Sequence, residues 1–276
     1  MSDNPEIGSR LLTGDLTTNY HDVGEGPTVL LLHGSGPGVS AYANWRLTFA
    51  SLSSRFRLLA PDLAGFGFTD VPADIDYTRE RWLTQIIDFL DGLGVTRTHV
   101  VGNSFGGSMA LALAIARPDL VDRMVLMGSV GVHFEITHGL DEVWGYEPSE
   151  ATMGHLIRDV FAYDPGLVTD DLVRMRYLAS IRPGVQEKFS SMFPAPRQRW
   201  VDAMAHDESA IRALGVPTLM VHGRDDKVIP VATSLRLHEL IDDSQVHLFG
   251  RCGHWTQIER ADEFARVVAD FLTPAG

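Results

Sequence analysis

The chain has 276 residues, 45% of them hydrophobic, enough for one large α/β domain or a domain with a sizeable insertion. No apolar run reaches the roughly 18 residues of a membrane span, and 36 acidic against 23 basic residues disfavour nucleic acid or an anionic membrane as partner. Residues 1–6 contain no apolar segment typical of a secretory signal, and the one cysteine, Cys252, excludes an internal disulfide and any multi-cysteine metal cage. These features predict a cytoplasmic protein, and an anionic small substrate would need a local cationic anchor.

Strands and helices alternate along the first half of the chain. The predicted elements are a β-hairpin over 7–26, a strand over 28–32, a helix over 44–53, a strand over 56–62, a helix over 78–93, a strand ending at 101, a helix from 105 to about 117 and a strand over 124–127. Because the strands are apolar almost throughout, they are expected to be buried on both faces in a mostly parallel, doubly wound sheet.

The pattern changes between residues 131 and 206. This segment is rich in aromatic residues and methionine, has helical periodicity, and contains no strand-like run. The alternation then resumes with a strand over 218–223, a helix over 231–240, a strand over 246–249 and a final amphipathic helix. The sequence therefore predicts an α/β core over 1–130 and 207–276, with a helical lid over 131–206 inserted into it.

A Gly-x-Ser-x-Gly motif, formed by Gly102, Ser104 and Gly106, lies between a predicted strand and a predicted helix. In that context the serine occupies a strained turn that exposes its hydroxyl at the sheet edge, and the flanking glycines avoid collisions with the turn. The N-terminus of the helix directs free N–H groups towards an oxyanion forming beside the serine. Ser104 is therefore the candidate nucleophile.

A serine nucleophile needs a base, and the base needs an acid that orients it. Asp225 and Asp226 follow the predicted strand over 218–223, and His254 follows the next strand. Loops that leave the carboxyl edge of a parallel sheet can converge on one crevice. The order serine, aspartate, histidine is that of the α/β-hydrolases, with either aspartate available as the acid.

The chain resembles the α/β-hydrolase family, and within it the meta-cleavage product hydrolases. The resemblance rests on the motifs at 33–38, 102–107 and 252–255, and extends to the lid stretches 143–146 and 193–200. It implies the α/β-hydrolase fold and hydrolysis of a carbon–carbon bond in a 2-hydroxy-6-oxo-hexa-2,4-dienoate during the degradation of aromatic compounds. The lid stretches look most like the branch acting on 2-hydroxymuconate semialdehyde and its 6-alkyl analogues.

The resemblance also implies roles for particular residues. Ser104, Asp226 and His254 match the catalytic triad, and the backbone N–H groups of Ser35 and Phe105 match the oxyanion hole. It implies no metal or other cofactor, a small anionic dienoate as partner, and a homo-oligomer, with a dimer favoured.

Further positions match residues that bind the dienoate, namely Asn44, Asn103, Arg182, Trp255 and Trp144 in the lid. Structural roles compete with these assignments: Asn44 could cap a helix, Asn103 could hold the turn, Arg182 could be a solvated surface residue, and the two tryptophans could serve packing. The overall charge of −13 favours a guanidinium as the anchor of an anionic substrate.

The same scaffold also supports other functions. A carboxylesterase shares the triad and the oxyanion hole, so it is the alternative enzymatic function. Dehalogenases and epoxide hydrolases of this fold need a carboxylate nucleophile, and Ser104 argues against both. A receptor that binds a small molecule without turnover is disfavoured by the intact set of serine, aspartate and histidine.

Overall fold

The computed structural model describes residues 4–273, and its centre is one eight-stranded sheet. The strands are β1 (Ser9–Thr13), β2 (Leu16–Val23), β3 (Thr28–Leu32), β4 (Arg57–Pro61), β5 (Thr98–Asn103), β6 (Val121–Met127), β7 (Thr218–Gly223) and β8 (Ser244–Phe249). They are arranged in the order β1-β2-β4-β3-β5-β6-β7-β8. The expectation about a secretory signal rests partly on residues 1–3, which lie outside the described residues.

Six of the eight strands run parallel, as the apolar runs predicted. β3 pairs in parallel with β4 on one side and with β5 on the other, and β6, β7 and β8 extend the parallel part. β1 and β2 form the predicted N-terminal hairpin and are antiparallel. All six residues of β5 are buried, because helices cover both faces of the sheet at this position.

Helices pack on both faces of the sheet, which confirms the predicted doubly wound α/β-hydrolase fold. The helices are α1 (Ala41–Leu52), α2 (Arg79–Gly92), α3 (Phe105–Ala116), α4 (His138–Trp144), α5 (Glu150–His155), α6 (Asp170–Ser180), α7 (Val185–Met192), α8 (Gln198–Met204), α9 (Glu208–Arg212), α10 (Val231–Leu240), α11 (Thr256–Glu259) and α12 (Ala261–Leu272). One apolar cluster joins the sheet to α1 and α12 through residues such as Trp45 and Phe264. The cluster on the other face includes Trp82 of α2 and Met109 of α3.

The first helix begins earlier than the sequence predicted. Ser40 is its N-cap, and the Ser40 hydroxyl accepts a hydrogen bond from the Ala43 N–H at 3.1 Å. Asn44 therefore lies inside α1 and does not cap it. Its side-chain Oδ1 instead accepts a hydrogen bond from the Gly34 N–H, in the loop that follows β3, at 3.3 Å.

Between β6 and β7 the chain is helical over α4 to α8, with a π-helical turn at Leu156–Phe161 and a 3₁₀ turn at Pro165–Leu167. Apolar residues of this segment join the cluster on the α2–α3 face of the sheet. The strand order reverses beside β3, since β4 lies on one side of it and β5 on the other, and such a reversal opens a crevice at the carboxyl ends of the strands. Among residues 4–273, no helix has the length and hydropathy needed to cross a bilayer.

Candidate active site

Ser104 is the single residue between the end of β5 and the start of α3. Its φ of 54° and ψ of −115° place it in a left-handed region that side chains rarely adopt, so the backbone is strained there. A Cβ at Gly102 would lie 2.4 Å from the Gly106 carbonyl oxygen, and one at Gly106 would lie 2.3 Å from the Leu32 carbonyl oxygen. The turn therefore requires both glycines of the motif.

Two backbone N–H groups near Ser104 are free to bind an oxyanion. Phe105 is the first residue of α3, so its N–H has no acceptor within the helix. Ser35 follows β3 and lines the same cavity as Ser104. Within the described part of the chain, neither N–H has a hydrogen-bond acceptor. The N–H groups of Ser35 and Phe105, which the sequence predicted for the oxyanion hole, are thus available as donors.

His254 is hydrogen-bonded to Asp226, with 2.7 Å between Nδ1 and Oδ2. The Asp226 side chain is fully buried, and its other oxygen accepts the N–H groups of Val228 and Ile229 at 2.7 and 2.9 Å. Burial raises the pKa of Asp226, but the nearby His254 and His222 lower it more, so the net shift is well below the usual range. The carboxylate is therefore held ionised beside the histidine.

Asp225, the competing acid, points elsewhere. Its carboxylate accepts the Arg251 N–H at 2.9 Å and lies 3.4 Å from the Arg224 guanidinium. Of the two neighbouring aspartates, only Asp226 contacts His254. His222, at the end of β7, was not singled out from the sequence, although its Nε2 lies 3.2 Å from Asp226 Oδ2.

The backbone of His254 is tied to the helical segment between β6 and β7. Its N–H donates to the Phe161 carbonyl at 2.7 Å, and the Phe161 ring stacks beside the imidazole with 5.9 Å between centroids. Glu259 accepts hydrogen bonds from the N–H groups of both Gly253 and Tyr163, each at 2.8 Å. Over residues 4–273 no hydrogen bond joins the Ser104 hydroxyl to His254, although both line one cavity. In unliganded hydrolases this bond commonly tightens only when substrate binds.

One cavity brings most of the predicted site residues together. Asn44, Asn103 and Trp255 line it together with Ser104 and His254. Its apolar lining includes residues from both the core and the helical segment, namely Leu140, Val143, Met153, Ile157, Phe161 and Val228. Its polar lining includes Asn44, Arg46, Arg176 and Gln257. Arg46, Arg176 and Gln257 were missed in the sequence, where nothing distinguishes them from surface residues.

Two predicted substrate-binding residues do not line this cavity. The Trp144 indole N–H donates to the Ser35 hydroxyl at 3.0 Å, and its ring stacks on Phe193 at 4.4 Å. The Arg182 guanidinium lies 3.8 Å from the centre of the Phe68 ring and donates to the Gly67 carbonyl at 3.2 Å. Trp144 thus contacts the loop that carries Ser35, and Arg182 contacts the loop after β4.

His33 fixes the loop that carries Ser35. Its Nε2 accepts the Leu63 N–H at 2.9 Å, so Nδ1 carries the proton and donates to the Gly34 carbonyl at 2.7 Å. Burial lowers the pKa of His33 to about 4. The imidazole is therefore neutral and structural, because protonation of Nε2 would break the bond to Leu63.

This burial predicts a pH-dependent stability. The folded-state pKa of His33 lies below its unfolded value, so its contribution is complete above about pH 6.5 and is lost as the pH falls towards 4. Between pH 7 and 5, the free energy of unfolding of the wild type should fall by about 2 kcal/mol more than that of His33→Gln. Asp62, whose pKa burial raises to about 6, acts in the opposite direction in both proteins and cancels in the difference. Urea unfolding at the two pH values measures this, and equal changes in both proteins would contradict it.

No group of three or more His, Cys, Asp or Glu side chains within residues 4–273 is arranged to hold a metal ion. The site on the described residues is thus built from a serine, a histidine–aspartate pair and two free N–H groups. This arrangement can activate a hydroxyl and stabilise an oxyanion, the requirements of acyl transfer.

Comparison with known proteins identifies the fold family of this chain and several close relatives. A family model described as the alpha/beta hydrolase fold matches residues 27–261. The chain is 57% identical to a 2-hydroxy-6-oxo-2,4-heptadienoate hydrolase from Pseudomonas putida, over 98% of this chain and 97% of that protein. It is 54% identical to a 2-hydroxymuconate semialdehyde hydrolase from a Pseudomonas species, over 98% and 95% of the two chains.

A solved structure is equally similar. The meta-cleavage product hydrolase CumD from Pseudomonas fluorescens, in a mutant complexed with acetates, superimposes with a TM-score of 0.96 at 56% identity, covering 98% of each chain. The agreement extends over the core and over the helices between β6 and β7 alike. These similarities show that the chain belongs to the α/β-hydrolase family, as a member of its meta-cleavage product hydrolases.

Proposed function

We propose that this enzyme hydrolyses a carbon–carbon bond in a 2-hydroxy-6-oxo-hexa-2,4-dienoate that carries hydrogen or a small alkyl group at C6. The products are 2-hydroxypenta-2,4-dienoate and a carboxylic acid. The observation that carries the proposal is one cavity that is lined by Ser104 and His254, by two arginines and several side-chain amides, and by many apolar side chains. A substrate with a carboxylate at one terminus and an alkyl ketone or aldehyde at the other is complementary to such a cavity. The names of the relatives, which act on the heptadienoate and the semialdehyde, support the same substrate class.

The chemistry requires two stages. The leaving carbon must depart as a stabilised anion, so the substrate first transfers the 2-hydroxyl proton to C5 and becomes a ketone at C2. His254 is the candidate proton carrier for this step. Cleavage of the C5–C6 bond then returns the electron pair to a dienolate that the 2-oxygen stabilises.

Ser104, His254 and Asp226 are proposed to perform the second stage. His254 accepts the Ser104 proton while the hydroxyl attacks the C6 carbonyl, and Asp226 stabilises the imidazolium. The N–H groups of Ser35 and Phe105 are proposed to bind the resulting oxyanion. The His254 imidazolium then gives this proton to the departing dienolate, which leaves as 2-hydroxypenta-2,4-dienoate. Neutral His254 next accepts a proton from the water that attacks the acyl-enzyme, and it returns that proton to Ser104 as the carboxylic acid is released.

The segment 131–206 is proposed to act as the lid of this site. Leu140, Val143, Met153, Ile157, Phe161 and Leu172 of the segment all contribute to the apolar cavity lining. An apolar cover would keep bulk water from the dienolate and would set the size of the C6 substituent. Asn103 and Trp255, which line the cavity, are proposed to contact the substrate beside the nucleophile.

We propose a cytoplasmic location, consistent with the single, unpaired, buried Cys252, and a homodimer. Sedimentation analysis of the purified protein would test the dimer, and a monomer at micromolar concentration would contradict it.

A comparison of two substrates tests the proposed reaction against the carboxylesterase alternative. With a chromophoric 6-methyl dienoate and with 4-nitrophenyl acetate, we expect kcat/KM for the dienoate to exceed that for the ester by at least about a hundredfold. The reason is that only the dienoate carries a carboxylate that the arginines lining the cavity can bind. Decay of the dienoate absorbance and release of nitrophenolate provide the two rates. A preference for the ester would favour the carboxylesterase.

A further inference from the structure

The loop that carries His254 packs directly against the backbone of the helical segment between β6 and β7. A Cβ at Gly253 would lie 2.4 Å from the Phe161 carbonyl oxygen and 2.8 Å from the Tyr163 nitrogen, so this close approach requires glycine. The His254 N–H donates to the same Phe161 carbonyl at 2.7 Å. The base of the proposed mechanism is therefore attached through its own backbone to a segment that lines the cavity.

Glu259, the last residue of α11, joins these two backbones a second time. Its Oε1 accepts the Gly253 N–H at 2.8 Å, and the Cys252 thiol lies 4.0 Å from the same oxygen. Its Oε2 accepts the Tyr163 N–H at 2.8 Å and the Asp164 N–H at 3.4 Å. Burial raises the pKa of Glu259, and the hydrogen bonds from the three N–H groups partly offset this effect. One carboxylate thus bridges the loop before His254 and the chain after Phe161, and we call these hydrogen bonds the Glu259 link.

Glu259 is not among the described residues that line the cavity, so it can affect the reaction only through the residues that it holds. Phe161, which does line the cavity, stacks on the Trp255 ring at 5.1 Å and on the His254 ring at 5.9 Å between centroids. A shift at the Glu259 link would therefore move the imidazole relative to the cavity wall. A misplacement of about 1 Å can reduce a catalytic rate about a hundredfold.

We propose that Glu259 is a positioning residue, which holds the backbone of His254 against the helical segment so that the imidazole can reach the Ser104 hydroxyl. The proposal rests on the role of His254 in the proposed function and adds the group that places this base. Asp226 sets the orientation of the ring through Nδ1, whereas Glu259 sets the position of the backbone that carries the ring.

The first test changes the carboxylate. Glu259→Gln keeps the shape of the side chain but leaves only one acceptor oxygen, so one half of the Glu259 link is lost. On the dienoate kcat should fall about tenfold or more, and KM should change by no more than about threefold, because the side chain does not line the cavity. Glu263→Gln is the matched control. It alters a half-exposed carboxylate 3.9 Å from Arg260 and should leave both parameters unchanged.

The second test opens the same link from the helical segment. Tyr163→Pro removes the N–H that donates to Glu259, whereas Tyr163→Ala keeps this N–H and removes only a side chain that is 40% exposed. The extended backbone of Ala162, with φ −86° and ψ 144°, suits a residue that precedes proline. We expect kcat to fall about tenfold in Tyr163→Pro and to stay at the wild-type value in Tyr163→Ala.

The double variant distinguishes one shared link from two separate structural effects. If both substitutions act through the Glu259 link, Glu259→Gln combined with Tyr163→Pro should be no more than about threefold slower than the slower single variant. Independent effects would multiply to a loss of about a hundredfold. Such a multiplied loss would overturn the proposal, as would an unchanged kcat in Glu259→Gln.

Hydrogen exchange keeps the test decisive if Tyr163→Pro fails to fold. The His254 N–H is bonded to Phe161 and not to Glu259, so its exchange reports on the link without being part of it. In Glu259→Gln this amide should exchange at least about tenfold faster, while the amides inside α12 keep their wild-type rates. Wild-type protection of the His254 amide in this variant would overturn the proposal. If the wild type cleaves 4-nitrophenyl acetate but not the dienoate, the proposed reaction fails, and the same rate ratios measured on the ester decide the role of Glu259.

Discussion

Ser104→Ala is expected to lose at least about four orders of magnitude in kcat on the dienoate while retaining its fold and its affinity for the substrate. The lost hydroxyl is the only nucleophile that the elbow between β5 and α3 presents to the cavity. The arginines and side-chain amides that line the cavity are unchanged by the substitution, so binding should persist. Single-turnover mixing would show formation of the complex without product release.

Ser35→Ala is the matched control for this experiment. It removes a hydroxyl from the same cavity and deprives the Trp144 indole of its acceptor, but it keeps the backbone N–H proposed for the oxyanion. A loss of at most about tenfold is expected for this variant, since no group that changes charge in the reaction is lost. If Ser104→Ala retained more than roughly a hundredth of the wild-type kcat, Ser104 would not be the nucleophile.

The fold could be predicted because its signals are local and repeated. The strand over 28–32 was placed at its observed bounds, since a continuous apolar run between turn residues is typical of a strand buried on both faces. The turn at Ser104 between β5 and α3 was equally predictable, because a strained turn restricts the residue types on either side of it. The start of α1 was less accurate, since Ser40 caps the helix ahead of the apolar pattern that signalled it.

The polar lining of the cavity could not be predicted in the same way. Arg176 and Arg182 are only six residues apart, and their order in the chain does not show which guanidinium faces the cavity. That choice depends on how α6 packs against the loop after β3, a contact between residues that are 138 positions apart. Asn44 Nδ2 and Gln257 Oε1 are buried amide atoms without a hydrogen-bond partner. This arrangement likewise depends on how α1 and α11 are placed in the fold.

The link between His254 and the helical segment is a second feature that no local pattern signals. The π-helical turn Leu156–Phe161 presents the Phe161 carbonyl to the His254 N–H, and Glu259 holds the adjoining residues. π-helical turns are frequent at functional sites and have no sequence signature of the strength of a capping box. Sequence analysis thus identified the candidate base but not the contacts that support it.

Asp226 and its neighbour Asp225 are expected to differ greatly in their contribution to kcat. Asp226→Asn should reduce kcat by about four orders of magnitude, as expected when a triad histidine is held in the wrong tautomer. Asp225→Asn should change kcat by no more than about threefold, because its carboxylate contacts Arg224 and the Arg251 N–H outside the cavity. Both variants differ from the wild type by one isosteric group at neighbouring positions, so each controls for the other.

The size of the Asp226→Asn effect follows from the donors around the carboxylate. Oδ1 accepts two backbone N–H groups, from Val228 and Ile229, so the amide oxygen of an asparagine will remain there. The amide NH₂ must then face His254 Nδ1, which can accept it only by moving the ring proton to Nε2. In that tautomer Nε2 cannot take the proton of Ser104, and catalysis stops although the fold is preserved. Steady-state rates and melting temperatures of the two variants test this, and a larger loss in Asp225→Asn would show that the wrong carboxylate had been assigned.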